Sequence, residues 1–140
     1  MTLFLRTGLA GAAFAALVLT GTPALSETVN LKASLNGAAE VPPNLSKGTA
    51  SVAATYDTAS RKLAWKGTVS GLSGNPTAAH FHGPAEPGKN AGVAIPITSI
   101  SSGEATLTDA QAADLLAGMW YVNIHTSANP AGEIRGQVTK

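Results

Sequence analysis

The stretch Trp120–Val138, WYVNIHTSANPAGEIRGQV, decides the fold. Trp120, Val122 and Ile124 alternate with Tyr121, Asn123 and His125; further on, Ile134, Gly136 and Val138 alternate with Glu133, Arg135 and Gln137. A period of two sends successive side chains to opposite faces of a strand. A turn around Asn129-Pro130 makes the two runs a hairpin. Pairing Ile124 with Ile134, Val122 with Gly136 and Trp120 with Val138 gathers the apolar letters on one face. A slip of one residue would turn Ile134 and Val138 to the wrong side, so the register is well specified. The same register sets His125 across from Glu133 and Asn123 across from Arg135 on the other face.

Upstream, the same logic recurs. Val29, Leu31, Ala33 and Leu35 form the inward row of a half-buried strand that stops at Gly37. Residues 49–56 and 63–69 read as a hairpin, with Val52 opposite Gly67, Ala54 opposite Trp65 and Tyr56 opposite Leu63. Thr77–His82 and Val93–Ile97 are two more short strands, and Pro96 puts the second at an edge or a bulge. One helix interrupts the pattern. Thr108 caps it, Gln111 completes a capping box, Asp109 adds charge to the first turn, and Gly118 ends it. About ten residues cannot stand alone, so its Leu115 and Leu116 side packs on the sheets and closes one end. These elements predict an all-β, mainly antiparallel fold: a two-layer, Greek-key-like β-sandwich with one short helix before the C-terminal hairpin. A small β-barrel is the alternative, because periodicity does not distinguish closure from sandwiching.

The first residues follow another rule. Arg6 precedes the uncharged apolar run Gly8–Thr20, and Pro23-Ala24-Leu25-Ser26 supplies the small residues of a signal-peptidase site. Residues 1–26 are expected to be a signal peptide and 27–140 one β domain in the periplasm or secreted. Cleavage leaves no stable membrane insertion, since the apolar run is short for a bilayer. Nine basic residues less Arg6 balance eight acidic ones. That balance excludes the electrostatic footprint of nucleic-acid binding. With Cys 0, the exported domain has no disulfide, cysteine zinc site, blue-copper centre or cysteine nucleophile.

All three histidines fall in or beside predicted strands. His80 and His82 flank Phe81, so both imidazoles leave the strand on one side and Phe81 turns to the core. Two rings about 6.5 Å apart at their α-carbons can converge on one ion held at about 2.0 Å. His125 is the natural third ligand, and Glu133 either adds an oxygen or orients a ring. Imidazoles with a carboxylate suit copper or zinc. The competing reading has the rings hydrogen-bonded to the carbonyls of the Gly83-Pro84 and Asn129-Pro130 turns. Arg135 is expected to clamp Glu133 or Glu40, or to organise the site if a loop covers its face, with Asn123 beside it.

No catalytic set emerges. There is no Gly-x-Ser-x-Gly elbow and no Ser-His-Asp spacing, and the prolines in Gly83–Gly88 rule out a phosphate cradle. Asn44-Leu45-Ser46 matches a glycosylation acceptor. Tyr56, Trp65, Trp120 and Tyr121 fall in strands, as core or sheet-face residues.

Three motifs in order, Leu35–Pro43 (LNGAAEVPP), Ala79–Ala85 (AHFHGPA) and Trp120–Thr126 with Asn129–Gln137, resemble the CHRD domain, the module found in chordin. The resemblance spans about residues 29–139 and implies an extracellular β-rich domain; bacterial relatives are typically small secreted or periplasmic proteins. In chordin the modules belong to an antagonist of growth-factor signalling. This chain lacks the cysteine-rich modules of that role, so growth-factor binding does not carry over. Two functions follow as expectations: a non-catalytic binding or structural domain with an extracellular protein partner, or a copper- or zinc-binding protein using His80, His82 and His125.

Overall fold

A computed structural model describes residues 25–140. The expected leader, residues 1–26, lies outside them except for Leu25 and Ser26.

The elements follow in chain order. β1 is Thr28–Asn36, β2 Thr49–Asp57, β3 Lys62–Ser70, β4 Pro76–His82, β5 Val93–Pro96 and β6 Gly103–Thr106. The helix α1 is Asp109–Leu116, and β7 Tyr121–Thr126 and β8 Ile134–Gln137 close the list. All eight strands belong to one sheet in the order β5-β4-β7-β8-β1-β2-β3-β6. Every pairing between these strands is antiparallel. The expected all-β fold with its short helix before the last strands is what the chain adopts. Its layers are two halves of one sheet, which curls nearly closed like a barrel. β1 and β8 join the halves through one register pair, Asn36 with Arg135, reinforced by a bridge from Lys32 to Thr139. β5 and β6 are the two edges.

Local registers follow the apolar pattern. Val52 pairs with Gly67, Ala54 with Trp65 and Tyr56 with Leu63. In the C-terminal hairpin Val122 pairs with Gly136 and Ile124 with Ile134, and the Val138 N–H donates to the Trp120 carbonyl. Between the halves lies a core that includes Leu31, Leu35, Leu63, Phe81, Trp120, Val122 and Ile134. Phe81 is its keystone: fully enclosed, it meets Trp65 edge-on at 5.4 Å and Trp120 at 5.8 Å. Burying such a ring is worth about 1.5–3 kcal/mol relative to leaving it exposed. Phe81 pointing inward forces His80 and His82 outward.

The Thr108 cap and its box with Gln111 are both present, and Gln111 also donates to the Ala94 carbonyl of edge strand β5. Leu115 enters the core and Leu116 packs beside it. Gly118, at φ +74°, takes the left-handed turn that ends the helical run. Among the described residues no helix is long and apolar enough to cross a membrane.

Candidate metal centre

β4 lies against β7, and this non-local pairing builds the site. Ala78 pairs with His125, His80 with Asn123 and His82 with Tyr121. His80 and His125 are therefore diagonal neighbours on the outer face, as are His82 and Asn123. One ligand atom from each of His80, His82 and His125 lies within 4.8 Å of the other two. His80 Nδ1 and His125 Nε2 stand 3.3 Å apart.

Tautomers are set from outside the cluster. His125 donates from Nδ1 to the Pro130 carbonyl at 3.0 Å, which leaves Nε2 as a lone pair aimed at His80. His82 donates from Nδ1 to the Ala91 carbonyl at 3.0 Å, and its Nε2 lies 3.2 Å from the Asn123 amide. Burial, and then the nearby His125 and His82, hold His80 below the usual imidazole range. Burial also lowers His82, against the opposing pull of its contacts with Ala91 and Asn123. Both rings therefore favour the neutral form, the one that can ligate.

Asn123 links the histidines to Glu40, whose Oε1 lies 3.2 Å from its Nδ2. Burial raises the Glu40 carboxyl above its ordinary value, against the lowering pull of Asn123 and Arg135. A neutral His82 has one N–H, spent on Ala91, so its Nε2 needs a donor. In the metal-free protein the Asn123 amide, turned to present Nδ2, supplies that donor; an ion on Nε2 would take its place. Gly132 makes room for this amide. Its φ is +136°, and a Cβ there would come within 2.6 Å of Asn123 Nδ2 and 2.7 Å of Glu40 Oε1.

Tyr121, read only as a core or sheet-face residue, is the platform of the site. His82 stacks on it at 4.8 Å with the rings 2° from parallel, and the Arg135 guanidinium carbon sits 3.4 Å from the ring centroid. Its hydroxyl also bonds the backbone of Ala91. Tyr121 falls within the family-like run Trp120–Thr126, but only its outward place in the alternation, two residues from Asn123, hinted at this role.

Two expectations are corrected. Glu133 does not join the histidines. Its carboxylate turns to the opposite side and accepts from Ser46 Oγ at 2.6 Å, Ser73 N at 2.7 Å, Ser73 Oγ at 2.9 Å and Thr126 Oγ1 at 2.6 Å. The ladder ends at Ile124–Ile134, and the unusual backbone of Gly132 breaks strict alternation just before Glu133. Burial works against this charge, but the bonds from Ser46, Thr126 and Ser73 prevail and hold the carboxyl down at about 2. Nor does Arg135 clamp Glu133 or Glu40. Glu133's oxygens are filled by neutral donors, and the guanidinium turns instead to Asn90 Oδ1 at 2.9 Å and the Lys89 carbonyl at 2.5 Å. The loop after β4 thus covers the face, and Arg135 organises it. Asn44 is engaged as well: its amide donates to the Glu133 carbonyl at 2.9 Å, so the Asn44-Leu45-Ser46 motif serves structure here.

Three imidazoles with no thiolate and no carboxylate among them form an all-nitrogen donor set, suited to copper or zinc. Two nitrogens bound to one ion at about 2.0–2.1 Å in tetrahedral geometry are about 3.3 Å apart, which is the spacing between His80 and His125. The backbone carbonyls of Pro130 and Ala91 provide the outer hydrogen bonds that ligating histidines ordinarily make.

Residues 31–138 match the family model described as CHRD domain. No curated protein and no solved structure matches the chain.

Proposed function

This chain belongs to the CHRD domain family, which supports a non-enzymatic domain, and from that footing we propose an exported binding protein for one copper or zinc ion. His80, His82 and His125 hold the ion. The observation that carries the reading is the pre-set tautomer of His125, whose Nδ1 is fixed on Pro130 while Nε2 meets His80 at ligand spacing. Tyr121 orients His82, whose Nε2 gives up its contact with Asn123 to the ion, and Arg135 keeps the covering loop in place.

Titration of the purified protein with copper and zinc, followed by elemental analysis, tests this. One equivalent should remain bound after desalting, and His125→Ala and His82→Ala should each lose it while staying folded. Protein that stays metal-free at micromolar copper and zinc sinks the reading.

A second reading has its own support, because the ring nitrogens also stand within hydrogen-bond reach of protein partners. In it the histidines tie β4 to β7 and to two turns, and the domain binds an extracellular protein partner. His82→Ala would then lower stability with no change in metal uptake.

The proposed location is the periplasm or the secreted fraction, on the strength of the apolar run Gly8–Thr20 and the small residues before Glu27. N-terminal sequencing of protein recovered from cells should begin at Glu27. Recovery of Met1 in a membrane fraction would overturn it.

A further inference from the structure

Linked to the histidines only through Glu40 and Asn123, and lined in part by the 3-10 turn Gly37–Ala39, lies a cavity of about 500 Å³. Ala38, Val41, Pro43 and Pro87 form apolar walls, and Arg135 and Glu40 are its charged residues. Arg135 is only 2% exposed and Glu40 only 7%. Buried guanidinium groups are ordinarily paired with a carboxylate. Arg135 is not: among the described residues the ion pairs are Arg61–Asp109 and Lys62–Glu104, both on the surface. Its fork spends two of its five N–H groups, on Asn90 and the Lys89 carbonyl, and stacks on Tyr121. The remaining donors belong to a fixed, desolvated cation that lines an apolar cavity of small-ligand size.

We propose that this cavity is a second binding site, for a small carboxylate carried on a compact apolar body, with the carboxylate on Arg135 and the body against Val41, Pro43 and Pro87. A planar guanidinium matches a carboxylate in a way that a spherical anion does not exploit. Glu40 does not repel such a ligand when its own carboxyl carries the proton that burial favours. The site shares Glu40, and through it Asn123, with the histidine cluster, but needs no metal.

Titration of the purified protein with benzoate in the presence of EDTA, followed by amide NMR, tests the assignment independently of the metal reading. Saturable shifts should centre on Ala38, Val41 and Arg135. Benzamide, of the same shape without the charge, should bind at least about tenfold more weakly. Ala38→Phe, at an exposed wall position, should block benzoate while leaving the fold and Arg135 in place. Arg135→Lys should weaken it too; if that variant fails to fold, Ala38→Phe still decides. Absence of saturable benzoate binding, equal binding of benzamide, equal binding of sulfate, or undiminished binding by Ala38→Phe would each overturn the proposal.

Discussion

His80 and His125 meet across the pairing of β4 with β7, Nδ1 to Nε2 at 3.3 Å, although 45 positions separate them in the chain. The contact works because each ring is fixed at a different place. His80 is set by Phe81 locked in the core beside it, and His125 by the Pro130 carbonyl behind it. The cluster thus depends on the core on one side and a turn on the other.

Ring tautomers give the most direct check on that arrangement. In metal-free protein at neutral pH, nitrogen-15 spectra should show His82 and His125 protonated at Nδ1, the nitrogen facing a backbone carbonyl. Protonation at Nε2 in either ring would mean that the lone pairs point away from the shared space, and the ligand set would fail.

Glu133 should dominate the acid limb of stability. Its carboxyl sits at about 2 when folded against 4.5 for the ordinary group. A depressed value stabilises the folded state fully above pH 4.5, and that contribution drains away as pH falls towards 2. Denaturant midpoints across this window should drop steeply for the natural protein and more gently for Glu133→Gln. The same variant should cost about 1–3 kcal/mol at neutral pH, since one oxygen facing donors becomes a donor itself. Identical acid profiles for the two proteins would show that Glu133 is not the responsible group.

Gly132→Ala should be damaging far beyond its size. A side chain at φ +136° is strained by about 1–3 kcal/mol. The new Cβ also collides with Asn123 and Glu40. We expect a lower melting temperature and weaker retention of copper or zinc together. A variant that melts normally yet loses metal would contradict the coupling, and so would one that is destabilised yet binds unchanged.

Phe81→Ala should cost about 3–5 kcal/mol, because the ring is fully enclosed and bridges Trp65 and Trp120 from opposite halves of the sheet. It should also broaden the resonances of His80 and His82, whose outward direction rests on Phe81 pointing in. Thermal melts and ring-proton line widths read both effects. A loss under about 1 kcal/mol would mean that the core closes readily over the gap.

The two hairpin registers, the capped helix, the inward Phe81 and the outward pair His80 and His82 were legible in the residue order, whereas strand β6 was not. Each legible feature rests on a period of two or on an i to i+3 spacing, and such rules act over one or two turns of chain. The hairpin partners Ala54–Trp65 and Ile124–Ile134 could be read for the same reason: short connections leave little choice of partner. What lies next to what across the sheet is a different kind of fact. The packing of β4 on β7, which unites the histidines, spans more than forty residues and leaves no mark in either strand's periodicity. The fate of Glu133 was equally hidden, because its donors arrive from 87, 60 and 7 residues away. Arg135 likewise chose a loop carbonyl over a carboxylate. Periodicity determines which face a side chain takes, and only the closing of the sheet decides what meets it there.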